Sequence, residues 1–127
     1  MLTKLGKIFA FVLICSMAQA QSQKLNSGTY NGKIDIEGEL HQVITNFEIV
    51  NNKITGEYNY DNTHGSLVNC ELDGNKLFCE FKDPERERGI LISIFNTNFT
   101  EFVGVWYFIN SADENYGGSW TGKIKKK

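Results

Sequence analysis

The residues most able to do chemistry in this chain are two paired cysteines, two histidines and four aromatic rings that each follow a glycine by two positions. Cys70 and Cys79 flank the stretch ELDGNKLF. With Gly74-Asn75 as a two-residue turn, Asp73 and Lys76 form a hydrogen-bonded pair. Pairs alternate outward from there, so Cys70 meets Cys79 at a non-hydrogen-bonded position. At such a position the Cα atoms approach to about 4.5 Å, a distance a disulfide spans. The spacing therefore predicts a Cys70–Cys79 disulfide. A turn at Asp73-Gly74 would instead set the two cysteines diagonally on one face, as buried free thiols. The histidines, His41 and His64, have no ligand spacing to these cysteines, and no metal or other cofactor is expected.

The catalytic inventory is thin. Asp61, His64 and Glu57 cluster around one loop, but a surface histidine beside carboxylates is ordinarily just solvated. There is no G-x-S-x-G elbow and no glycine loop to cradle a phosphate. The expectation is a protein that is not an enzyme, with no catalytic residues.

The aromatic rings are more informative. Gly28-x-Tyr30, Gly56-x-Tyr58, Gly104-x-Trp106 and Gly118-x-Trp120 share one pattern, and GTYNGKI near the start of the chain returns as GSWTGKI near its end. Residues i and i+2 of a strand point to the same face, so each glycine sits beside its ring on the apolar side. A glycine there permits the tight coiling of a small barrel. Tyr30, Tyr58, Trp106 and Trp120 are accordingly predicted to point inward. Whether they line a ligand pocket or fill a packed core stays open, because an eight-stranded barrel is just wide enough for either.

Eight strands must position these rings: 29–36, 40–50, 53–60, 66–72, 76–82, 89–95, 99–109 and 117–125, with short connections that favour hairpins. A turn at Asn51-Asn52 sets Phe47 across from Gly56 and Ile49 across from Ile54. A turn at Gly74-Asn75 sets Leu72 opposite Leu77 and Val68 opposite Phe81. A three-residue turn at Asn96-Thr97-Asn98 sets Ile92 opposite Phe102 and Ile90 opposite Gly104. The predicted inward set adds Ile34, Phe47, Val68, Leu72, Leu77, Phe81, Ile92, Phe102, Phe108 and Ile124. An even number of antiparallel strands lets the first and last pair, which explains their shared sequence and removes the sheet edges. Strands 89–95 and 99–109 are apolar on both faces, unlike a half-solvated sheet. Their outward set, with Leu91, Val103, Val105 and Tyr107 as its centre, is either an interface for a protein partner or a second copy, or a face that segment 21–27 or a long loop covers, or one that is apolar only through strand propensity.

The ends of the chain concern export. Lys4 and Lys7 precede the apolar run Ile8 to Cys15, and Ala18-Gln19-Ala20 is a small-x-small cleavage site, so residues 1–20 read as a signal peptide. The remaining segment, 21–127, is one domain with 11 basic and 15 acidic residues, a net charge of −4. That charge lacks the basic stripe of a nucleic-acid binder. The strands are too short and too charged for an outer-membrane barrel, so no membrane association is expected. A disulfide persists in an oxidising compartment, which points to a secreted or periplasmic protein.

Gly28-Thr29-Tyr30, Ile54-Thr55-Gly56-Glu57-Tyr58 and Gly118-Ser119-Trp120 together resemble the calycin pattern of avidin-like and lipocalin-like barrels. The resemblance implies an all-β, single eight-stranded antiparallel up-and-down barrel with a mouth for a small ligand. It does not imply biotin, since the polar ligand set that follows the first Gly-x-Trp of avidins has no counterpart here. Two functions follow: a binder of a small apolar or aromatic ligand, or a protein-binding module such as an exported inhibitor or immunity-type protein.

Overall fold

A computed structural model describes residues 25–84, 88–109 and 117–125. The predicted signal peptide and part of the charged loop after Pro84 lie outside the described residues. The strands are β1 (Gly28–Ile36), β2 (Glu39–Val50), β3 (Lys53–Tyr60), β4 (Thr63–Asp73), β5 (Lys76–Lys82), β6 (Gly89–Phe95), β7 (Glu101–Phe108) and β8 (Gly117–Ile124). Each pairs antiparallel with the next, and β8 returns to β1 to close the barrel. Residues able to take positive φ make the tight connections. Glu37 and Gly38 lie at φ 55 and 84, Asn51 and Asn52 at 53 and 64, and Gly74 at 64. These are the left-handed conformations that two-residue hairpin turns require.

The seam accounts for the repeated sequence. Tyr30 pairs with Ile124 and Ile34 with Trp120, so the two similar segments run antiparallel side by side. A Cβ on Gly32 would lie 1.8 Å from the Thr121 carbonyl oxygen, and one on Gly118 would lie 2.4 Å from that of Asp35. The strands can cross this closely only because both segments carry glycine there. Each segment thus contributes one of the glycines that the close antiparallel seam demands, from a different position of the shared pattern.

Two registers differ from the sequence expectation. Leu72 does pair with Leu77 across the Gly74-Asn75 turn, and Cys70 is bonded to Cys79 with Cα atoms 4.1 Å apart. Beyond the disulfide, however, the register slips by one residue, and Leu67, not Val68, pairs with Phe81. The extra residue is Asn69, at φ 51, whose side-chain amide donates to the Glu80 carboxylate. This β-bulge keeps Leu67, Cys70 and Leu72 on the inner side, which strict alternation cannot do.

The second correction concerns β6 and β7, where Phe95 pairs with Phe102, Ser93 with Gly104, and Leu91 with Trp106. The connection spans Asn96 to Thr100 in place of the expected three-residue turn. Asn96 organises it: its Oδ1 accepts from the Thr100 and Glu101 backbone N–H groups at 2.8 and 3.2 Å. Phe99, at φ 55, turns back into the barrel end and is only 4% exposed. Burying a phenylalanine contributes about 1.5–3 kcal/mol, enough to favour the longer loop. The three-residue shift inverts β6, because side chains alternate faces. Leu91 is therefore core, 0% exposed, and cannot belong to an outer interface. Phe95 moves inside with it, while Ile92 leaves the predicted inward set.

The remaining predicted core residues are largely in place, with Tyr30, Ile34, Phe47, Tyr58, Leu77, Phe81, Phe102, Trp106 and Trp120 buried. At the barrel end nearest the start of β1, Tyr30 packs edge-on against Phe47, Phe95 and Phe102, with centroids 5.5 to 5.7 Å away. Phe99 and Leu25 are buried in the same core.

Candidate functional site

Of the four rings predicted to bind a ligand, three meet and one stands apart. Tyr58, Trp106 and Trp120 line a cavity of about 20 Å³, together with Tyr60, Phe81, Phe108 and Asp83. Tyr30 lies toward the opposite end, where its hydroxyl donates to the Phe99 carbonyl at 2.6 Å. It serves there to hold the Asn96 loop down. Burial raises its pKa from 10.0 to about 12.

The elements bring the three rings together by register. Tyr58 on β3 and Trp120 on β8 meet edge to face at 4.9 Å, although they come from non-adjacent strands. Phe81 bridges them to Trp106, with centroids 6.2 Å from Tyr58 and 6.0 Å from Trp106. Tyr58 fits because β4 offers Gly65 beneath it, where a Cβ would lie 2.1 Å from the phenol ring. Sequence reading missed the role of Gly65. Its signal was present as Gly65-x-Leu67, a glycine two positions before an inward residue.

The polar atoms of these rings are unequally occupied. The Trp120 indole N–H donates to Thr45 Oγ1 at 3.0 Å inside the barrel. The Trp106 indole N–H donates to the Asp35 carbonyl at 3.1 Å. Tyr60 donates to the Asp83 carboxylate at 3.4 Å. The Tyr58 hydroxyl is buried and makes no hydrogen bond. Burial first, then the nearby Asp83 and Tyr60, pushes its pKa well above the ordinary tyrosine range. The cavity holds about one water-sized group, and a 150 Å³ void is the scale that admits benzene. An aromatic ligand is too large for this cavity.

The Asp61, His64 and Glu57 cluster divides. His64 Nδ1 lies 2.6 Å from Asn59 Oδ1 and its Nε2 3.7 Å from Glu57. Asp61 instead meets His41 Nδ1 at 2.9 Å. From sequence, His41 is weighed only as a metal ligand and not as the partner of Asp61, although the β2–β3 register that pairs Ile44 with Asn59 places position 41 beside the Asp61-Asn62 turn. No group of acidic, histidine or cysteine side chains that could hold a metal occurs among the described residues.

A second feature lies on the outer wall. Phe78, Ile94, Val103, Val105 and Tyr107 are 38% to 63% exposed. Register joins them into one surface, since Phe78 pairs with Ile92, Ile92 with Val105, and Ile94 with Val103. Ile90, partly buried, pairs with Tyr107 and extends the patch. Lys76 and Glu80 flank Phe78 along β5, and Glu101 stands at the start of β7. Val103, Val105 and Tyr107 are thus where the sequence put them, with Ile94 and Phe78 taking the place of Leu91.

Comparison with protein-family models, with curated proteins and with solved structures found no match to this chain.

Proposed function

We propose that this chain is an exported, non-enzymatic binding protein whose barrel is a rigid frame for a protein-recognition face on β5, β6 and β7. The contiguous apolar patch from Phe78 to Tyr107 carries this reading. Its exposed area, on the order of a few hundred Å², is the size at which a patch on a soluble domain signals an interaction. It has the anatomy of an interface, with aliphatic and aromatic groups at the centre and Lys76, Glu80 and Glu101 around them. The occupant is a protein with a complementary apolar surface. A closed eight-stranded meander supports a calycin-type kinship, and the Cys70–Cys79 disulfide supports a secreted or periplasmic location.

Val103→Glu combined with Tyr107→Lys tests the reading. The double variant should melt within a few degrees of wild type yet lose a stoichiometric partner that wild type captures from the exported proteins of its own host. A double variant that unfolds would make the patch part of the core. A wild-type protein that is monomeric by light scattering and captures nothing would make it ordinary surface.

A second reading, small-ligand binding, is favoured by one observation, the buried and unpartnered Tyr58 hydroxyl at the cavity. The size of that cavity restricts what it can take.

A further inference from the structure

We infer that the cavity beneath Tyr58 is a binding site for the ammonium head of a small primary alkylamine. Independently of the outer face, the site rests on the cavity, its rings, the Tyr58 hydroxyl and the Asp83 carboxylate.

The volume is the first constraint. About 20 Å³ admits one water-sized group. An ammonium is of that size, whereas a trimethylammonium, a carboxylate or an aromatic ring is larger. The second constraint is the unsatisfied hydroxyl. Tyr58 is 1% exposed, and its oxygen has no partner among the described residues. Leaving such a group unpaired costs about 1–3 kcal/mol, so an occupant that hydrogen-bonds to it is favoured.

The remaining lining selects the sign of charge. Both indole N–H groups of the lining are already committed, to Thr45 Oγ1 and the Asp35 carbonyl, so they cannot serve an anion. Asp83 contributes a carboxylate, whose Oδ2 also accepts from the Tyr60 hydroxyl at 3.4 Å. Around it stand the rings of Tyr58, Phe81, Trp106 and Trp120, whose mutual angles of 61° to 89° turn faces and edges alike toward one small volume. Aromatic faces attract cations, most strongly where water is excluded. An alkylammonium has three N–H donors and no acceptor. Tyr58 Oη and the Asp83 carboxylate accept from it, and the rings solvate the rest of its charge. The lining grades from the buried Tyr58 and Trp120 to the partly buried Ile36, Tyr60, Asp83 and Phe108. The amine enters head first and its alkyl chain leaves past Ile36 and Phe108.

Titration of the full mature protein with n-butylamine hydrochloride at neutral pH, at constant ionic strength, tests this. The indole N–H resonances of Trp106 and Trp120 should shift saturably, with a Kd below about 1 mM. Two comparison probes, n-butanol and tetramethylammonium, should leave them unmoved. Tyr58→Phe should weaken butylamine binding about tenfold and Asp83→Asn should abolish it, with melting temperatures recorded for both. Should either variant fail to fold, the wild-type probe comparison still decides. An equal response to butanol, or shifts confined to residues of the outer face, overturns the proposal. The absence of any saturable shift with butylamine overturns it as well and leaves a single water as the occupant. None of these results bears on capture of a protein by β5–β7.

Discussion

Tyr58 and Gly65 form a unit in which one residue's lack of a side chain makes room for the other's ring. The phenol lies across β4 where a Cβ would come within 2.1 Å of it. Gly65→Ala should therefore destabilise the fold by about 1–3 kcal/mol, the usual cost of forcing atoms into a packed core. Urea unfolding would show it as a lower midpoint with an unchanged slope. Tyr30 makes a different prediction, about pH. Its pKa is about 12 in the folded protein against an ordinary 10.0, so the folded state holds this proton more tightly than the unfolded chain does. The associated stability is complete below pH 10 and is lost as pH rises through 12. Tyrosinate absorbance and circular dichroism followed together should show Tyr30 ionising near pH 12, above an ordinary tyrosine, with the barrel losing stability over the same range. If Tyr30→Phe removed none of the alkaline sensitivity, this account of burial would fail.

Among the elements, the β4–β5 hairpin shows how a local irregularity serves the whole strand. Asn69 occupies a left-handed conformation at φ 51, and its amide is bonded to Glu80. Asn69→Gly should be nearly neutral, because glycine tolerates this φ, whereas Asn69→Ala should cost about 1–2 kcal/mol. The neighbouring disulfide closes a short loop of sequence separation 9. Replacing both cysteines with serine should lower stability by about 2–3 kcal/mol in the chain-entropy model. Equal stability of Asn69→Ala and wild type would mean that the bulge relaxes without cost. The β6–β7 loop carries the opposite lesson. There a buried phenylalanine, and not a bulge, determines which face of the strand turns inward.

For the whole molecule, closure is the decisive property. β8 pairs with β7 along seven residues and with β1 across the seam, and it supplies Trp120 to the core. Deleting the chain from Gly118 onward should abolish cooperative melting and the near-ultraviolet dichroism of the aromatic core. A truncated protein that retained both would show that the remaining strands form a stable open sheet. The closed wall also explains why the Val103→Glu, Tyr107→Lys pair can alter recognition without unfolding the protein. Both residues stand on the outside of β7, whose inner face contributes Phe102 and Trp106 to the core.

Much of this was written in local sequence. Two-residue turns at Asn51-Asn52 and Gly74-Asn75 need only residues that accept positive φ, so the strand count, the β2–β3 register, the β4–β5 register as far as the disulfide, and the Cys70–Cys79 pairing followed by counting. The glycine–aromatic units announced the inner face because alternation in a strand is a local rule. Tertiary structure decided the rest, wherever two local choices were nearly equal in energy and a distant contact broke the tie. Phe99 could end a turn or enter the core, and only the cluster of Tyr30, Phe95 and Phe102 made the core the better place, which inverted β6 and moved Leu91 inside. Likewise, no local rule could place Tyr58, Trp106 and Trp120 around one water-sized void while sending Tyr30 to the other end. That separation depends on how far along each strand a ring sits once the barrel has closed, and closure is a property of all eight strands together.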